Sequence, residues 1–99
     1  MALTKKLEKD NNEYKLDFEN TYFKIDTLFF DLIDDEGKIG VRGYPDEYSR
    51  KNNGIGIFKK LYDIKFSDLK VTKFEKDIII SSAYKYLKDL DEFKDAKDC

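Results

Sequence analysis

Apolar and polar positions alternate in short runs along most of the chain and change to a three-and-four spacing near its end. Tyr14, Leu16 and Phe18 alternate with Lys15, Asp17 and Glu19, the period of a half-buried strand. Glu19-Asn20 then reads as a tight turn, because Asn tolerates the left-handed region. A second alternation sets Phe23, Ile25, Thr27 and Phe29 on one side and Tyr22, Lys24, Asp26, Leu28 and Phe30 on the other. Both sides become apolar near residue 28, which predicts a strand that ends between two layers or at a subunit contact.

Asp34-Asp35-Glu36-Gly37 is a turn signal, with Gly37 suited to positive φ. Residues 27–33 and 38–44 on either side of it are expected to form a hairpin. Pro45 opens another turn, and the polar stretch from Asp46 to Gly54, with its Asn-Asn-Gly signal, is expected to be an exposed loop. From Ile55 to Phe66 the chain is extended again. Ile55 and Ile57 share one face, whereas Phe58, Tyr62, Ile64 and Phe66 share the other, so a bulge or two short strands are expected. Ile79, Ile80, Ala83, Leu87 and Leu90 then follow helical spacing behind the acidic residues Glu75 and Asp77. This predicts a helix over about 76–89, a further short turn over 91–96, and Phe93 folded back. Residues 1–12 carry only Leu3 and Leu7 as large apolar side chains after Met1 and are expected to be a loose or docking arm. The chain is thus expected to be α+β: residues 13–99 form one domain, an antiparallel β-meander of about four or five strands packed against a single C-terminal helix.

Composition narrows the chemistry. The 99 residues include eight Phe and seven Tyr, which give a small domain more buried area per residue than aliphatic side chains. Charged residues are abundant, yet the net charge is only −2, so the signature of a disordered chain is absent. Charge is unevenly spread: residues 1–37 hold five Lys against ten acids, and residues 38–74 hold nine Lys or Arg against four. Opposed blocks of this kind could pack head to tail between copies or neutralise one another across paired strands.

There is no histidine, the commonest general base and transition-metal ligand. A single cysteine, Cys99, leaves no intramolecular disulfide and no thiolate metal cluster. No phosphate-binding glycine loop or nucleophile elbow is present. Asp31, Asp34, Asp35 and Glu36 cluster, but Ile33 breaks the alternation a calcium loop needs, and the cluster reads as a solvated turn. The expectation is a protein that is not an enzyme, takes no cofactor and no small-molecule substrate, and works by protein–protein contact.

Two surfaces stand out. Leu28, Phe29, Phe30 and Leu32 are the candidate interface, because the strand there is apolar on both sides. Arg42, Arg50, Lys51, Lys59 and Lys60 interleave with aromatics such as Tyr48, a combination that can hold single-stranded nucleic acid, though the acidic balance speaks against nucleic acid as the partner. The first residues hold no run of signal-peptide length, and no apolar stretch is long enough to span a bilayer. A location inside a cell, or in a particle assembled inside one, without secretion by a signal peptide or membrane partners, is expected.

Two segments carry a resemblance. Residues 19–27, ENTYFKIDT, resemble the ENAYxKIDxV strand of small proteins encoded among the tail and baseplate genes of phages and prophages of Gram-positive bacteria. Residues 84–99 resemble the YxYLKTLPEYxDAxDC ending of the same group, with Asp91 where the group has Pro. Residues 31–74 depart from it in length and detail. The resemblance implies a small phage tail, baseplate or virion-associated structural protein that assembles with itself, as a homo-oligomer, or with larger tail proteins. The alternative is a phage-encoded inhibitor that binds a host protein such as a defence nuclease or polymerase.

Overall fold

Five antiparallel strands form one open sheet in the order β4-β3-β2-β1-β5. The strands are β1 (Leu3–Leu7), β2 (Phe18–Asp31), β3 (Glu36–Tyr44), β4 (Phe58–Ile64) and β5 (Lys97–Asp98). A short helix α1 (Glu47–Lys51) follows β3, and the main helix α2 (Lys76–Lys88) precedes β5. The computed structural model describes residues 2–52 and 54–98; Met1, Asn53 of the expected Asn-Asn-Gly turn, and Cys99 lie outside the described residues. Strands β1 to β4 run as the expected meander, and the chain is α+β.

Directly opposite residues in an antiparallel ladder share a face, so the pairing register sorts the sheet. Leu3, Phe23, Val41, Ile39 and Ile64 lie on the face covered by α2, and they join Ala83, Tyr84 and Leu87 of that helix in one core. The helix occupies the span its spacing predicts. Leu90 leads into a 3-10 turn at Asp91–Phe93, which drives Phe93 into the core as expected. Its ring meets Phe23 edge-on at 5.2 Å and Tyr62 at 6.0 Å.

Residues 1–12 are not an arm. Leu3–Leu7 form an interior strand between β2 and β5, with Leu3 and Leu7 buried. The strand is hidden in the sequence because Lys5, between the two leucines, also points inward. Its ammonium lies over the Phe93 ring and donates to the Glu92 carbonyl.

The alternation of Tyr14, Leu16 and Phe18 does not make a strand either; Tyr14 and Leu16 are exposed and only Phe18 begins β2. The buried Asn12 organises the segment. Its Nδ2 donates to the carbonyls of Glu8 and Leu16, and its Oδ1 accepts from the Tyr14 N–H. Lys15 takes the left-handed conformation that closes this turn. Glu19-Asn20, expected as a turn, lies within β2.

Strand β2 carries a bulge. Ile25 pairs with Val41 and Thr27 with Gly40, so Asp26 is an extra residue and every side chain after it changes face. Tyr84 Oη accepts the Ile25 N–H at this point, 2.9 Å away, and so ties α2 to the bulge. The hairpin turn uses Asp35, not Gly37, in the left-handed region. Gly37 serves close approach instead, since a Cβ there would lie 2.8 Å from the Phe29 carbonyl oxygen and 2.7 Å from the Phe30 ring. The expected 46–54 loop contains α1, capped by Asp46, whose Oδ1 accepts the Ser49 N–H at 2.7 Å. β4 pairs with β3 without a register shift, so the change of face between Ile57 and Phe58 precedes the strand and is not a bulge within it.

Candidate functional site

The bulge divides the candidate interface. Leu28 and Phe30 turn toward α2 and are half-buried, and Phe30 packs edge-on against Phe66 at 4.9 Å. Phe29 and Leu32 remain 60% and 59% exposed. Ile33, in the same turn, is 96% exposed and was not among the expected residues. Only knowledge of the turn, in which Asp31 Oδ1 accepts the Ile33 and Asp34 N–H groups, places Ile33 outward.

The sheet edges complete this surface. β4 is the terminal strand, and among the described residues no strand pairs with its outer side. β2 is paired with β1 only as far as Phe23, so among the described residues Lys24–Asp31 has a strand neighbour on the β3 side alone. On the face away from α2, Leu61 is 54% exposed beside Gly40 and Thr27, and Phe29 lies across from Lys38 and Asp63. Unpaired edges and exposed apolar side chains are the features through which sheets recruit another chain.

The basic residues do not gather on one face of the sheet. Lys60 faces α2, bound to Glu92 Oε2 at 3.2 Å and lying over the Tyr62 ring at 4.9 Å, whereas Arg42 and Lys59 pair on the opposite face. Arg42 is held by Asp26 at 3.4 Å and Lys51 by Glu47 at 2.8 Å. Arg50 lies over the Tyr44 ring, and Tyr48 stands out from α1. The Arg42–Asp26 pair joins the two opposed charge blocks, and Lys60 is neutralised by Glu92 of the C-terminal segment.

The acidic cluster is likewise engaged in structure. Asp35 accepts the Ser67 hydroxyl at 2.7 Å and the Ser67 N–H at 2.9 Å, tying the β2–β3 turn to the segment after β4. These donors hold its carboxyl below the ordinary 3.8. The stabilisation from a lowered carboxyl is complete above its ordinary value and is lost as pH falls through the lowered one. Asp35→Asn is therefore expected to melt below the parent at neutral pH, with the gap closing in acid below 3.8; thermal melts across that range measure it.

Tyr62 donates to Glu92 Oε2 at 2.7 Å, and burial together with that carboxylate pushes its phenol well above the ordinary range. Asp63 holds Lys38 by a 2.8 Å hydrogen bond and raises the ammonium above its ordinary value. The broad hollow between β1 and the 3-10 turn at 91–93 is lined by Lys5, Lys6, Glu8, Glu19 and Glu92, where Lys6 lies between Glu8 and Glu19 at 3.9 and 3.7 Å. Among the described residues no group of three or more His, Cys, Asp or Glu is placed to hold a metal ion, and no helix is long and apolar enough to cross a membrane.

The fold and this surface define the chain by architecture: an open antiparallel sheet with one face under a helix and open edge at β4 and along Lys24–Asp31 of β2. The chain matches no family model, no curated protein and no solved structure.

Proposed function

We propose that the chain is a protein-binding module that performs no catalysis, a small phage tail- or virion-associated protein that assembles with itself or docks on a larger tail or baseplate protein. The observation that carries the contact reading is that, among the described residues, no strand lies against the outer side of β4 or of the Lys24–Asp31 half of β2, beside exposed Phe29, Leu32 and Ile33. The assignment to phage particles rests on the resemblance of residues 19–27 and 84–99. The host-inhibitor alternative draws less support, because imitation of nucleic acid calls for a strongly acidic chain and the net charge here is only −2.

Light scattering at high concentration and co-purification with phage particles test the reading together. An oligomer, or a stoichiometric tail protein held by the chain, is the expected result. A strict monomer that copurifies with no particle component overturns it, and a stoichiometric host enzyme in its place would favour inhibition.

A further inference from the structure

We propose that β4 pairs with β4 of a second copy, antiparallel about a two-fold axis through Leu61, and joins two sheets into one continuous sheet. The inference rests on the reading of the chain as a contact module and names the partner of one of its edges.

The strand has the form such pairing requires. β4 is seven residues long, in regular register with β3 from Phe58 to Ile64, without proline or bulge, and it ends the sheet. β5, at the opposite end of the sheet, is only two residues long. A regular, unprotected edge is a template for another strand.

The sequence Phe-Lys-Lys-Leu-Tyr-Asp-Ile is complementary to itself about its centre. In a two-fold antiparallel pair centred on Leu61, Lys59 faces Asp63 of the other copy, twice. Lys60 faces Tyr62, Phe58 faces Ile64, and Leu61 faces Leu61. The register with β3 puts Lys59, Leu61 and Asp63 on the open face and the other four on the face under α2, so each pair lies on one side of the joined sheet. The neighbouring centres fail on charge, and an axis at Phe58 or Ile64, the ends of the strand, would leave most of β4 unpaired. An axis at Lys59, Lys60 or Asp63 sets that charge against itself, and an axis at Tyr62 sets Lys59 against Lys65.

The side chains are available for these contacts. Lys59 has no ion pair among the described residues, and Leu61 is half-exposed. The Asp63 side chain is 83% exposed and engages Lys38 through Oδ1, which leaves Oδ2 for a second cation. Lysines on an edge strand ordinarily discourage pairing. Here Lys60 is already neutralised by Glu92, and Lys59 meets a carboxylate only in the register centred on Leu61. The lysines thus act as selectors of one register. A contact confined to one short edge falls at the small end of specific interfaces, roughly 1,200 Å² or below, so a reversible dimer in the micromolar range is expected.

Sedimentation equilibrium of the full chain under reducing conditions tests this with Lys59→Glu and Asp63→Lys. Each substitution replaces two opposite-charge contacts with two like-charge ones. Each variant alone is therefore expected to dimerise at least about tenfold more weakly than the parent, on the scale of cross-strand charge pairs. Mixed one to one, the two variants restore both attractive contacts in a heterodimer, with affinity expected within about threefold of the parent. That rescue also shows that both variants are folded. A parent that is monomeric at millimolar concentration, variants that dimerise as the parent does, or a mixture that stays monomeric would each overturn the pairing. A monomeric parent that still copurifies with particles overturns this inference alone. A monomeric parent that copurifies with none overturns the contact reading as well.

Discussion

Replacing Phe93 with Ala is expected to lower the unfolding free energy by about 3–5 kcal/mol. The ring is 1% exposed and lies where three parts of the fold meet. Phe23 of β2 meets it edge-on at 5.2 Å, Tyr62 of β4 lies at 6.0 Å, and Lys5 of β1 reaches over it at 5.6 Å. Phe23 in turn packs edge-on on Phe58 at 5.4 Å, so the aromatic contacts run from the C-terminal turn across to the terminal strand. Truncation loses the transfer free energy of the ring and leaves a cavity that rigid strands close poorly. Edge-on ring pairs add about 0.5–1.5 kcal/mol each beyond burial. A domain of this size has roughly 5–15 kcal/mol in all, so the variant is left near the margin of folding. Urea unfolding followed by circular dichroism measures the loss. Phe93→Leu, which keeps most of the apolar volume, is expected to cost far less. Equal, small effects for both variants would mean that the 91–93 turn is not docked.

What the sequence revealed follows from how strongly each segment's periodicity reflects burial. Helix α2 was legible because Ile80, Ala83 and Leu87 repeat on one face over about two turns, enough for the helical period to outweigh the β-branched run at 78–80. The β2–β3 hairpin and the inward turn of Phe93 were legible for similar reasons. Three features were hidden by single residues. Lys5 points inward yet reaches solvent-side partners, so β1 reads as polar. Asn12 replaces a ladder with side-chain hydrogen bonds, so the alternation at 14–18 is coincidental. Asp26 is extra in β2, so a count by twos places Phe29 with Phe23, when the bulge sets Phe29 outward and Phe30 inward. The candidate interface rested on apolar residues on both sides of the strand, and the structure turns one side inward: Leu28 and Phe30 pack against the core. The palindromic character of 58–64 is written in the sequence. Its meaning comes only from topology, because self-complementarity matters only in a strand that ends the sheet.

Leu3→Ala separates an interior strand from a loose arm most directly. Surface substitutions on a free arm change stability by no more than about 0.5 kcal/mol. Leu3 is instead fully buried, opposite Phe23 on one side and Asp98 of β5 on the other. A loss of about 2–5 kcal/mol is therefore expected, the range for a buried leucine truncated in a packed core. The effect should also spread. β5 has two residues and β1 as its neighbour, so it has little hold of its own once β1 loosens. Lys88 binds Asp98 at 3.1 Å on the surface, a pair too exposed to keep β5 in place alone. Hydrogen exchange in Leu3→Ala should show the amides of Lys97 and Asp98 exchanging together with those of β1, while β3 and α2 stay the slowest. Urea melts give the energy and the exchange pattern gives its location. An unchanged melt, or β5 protection that survives the loss of β1 protection, would place the first strand outside the cooperative core.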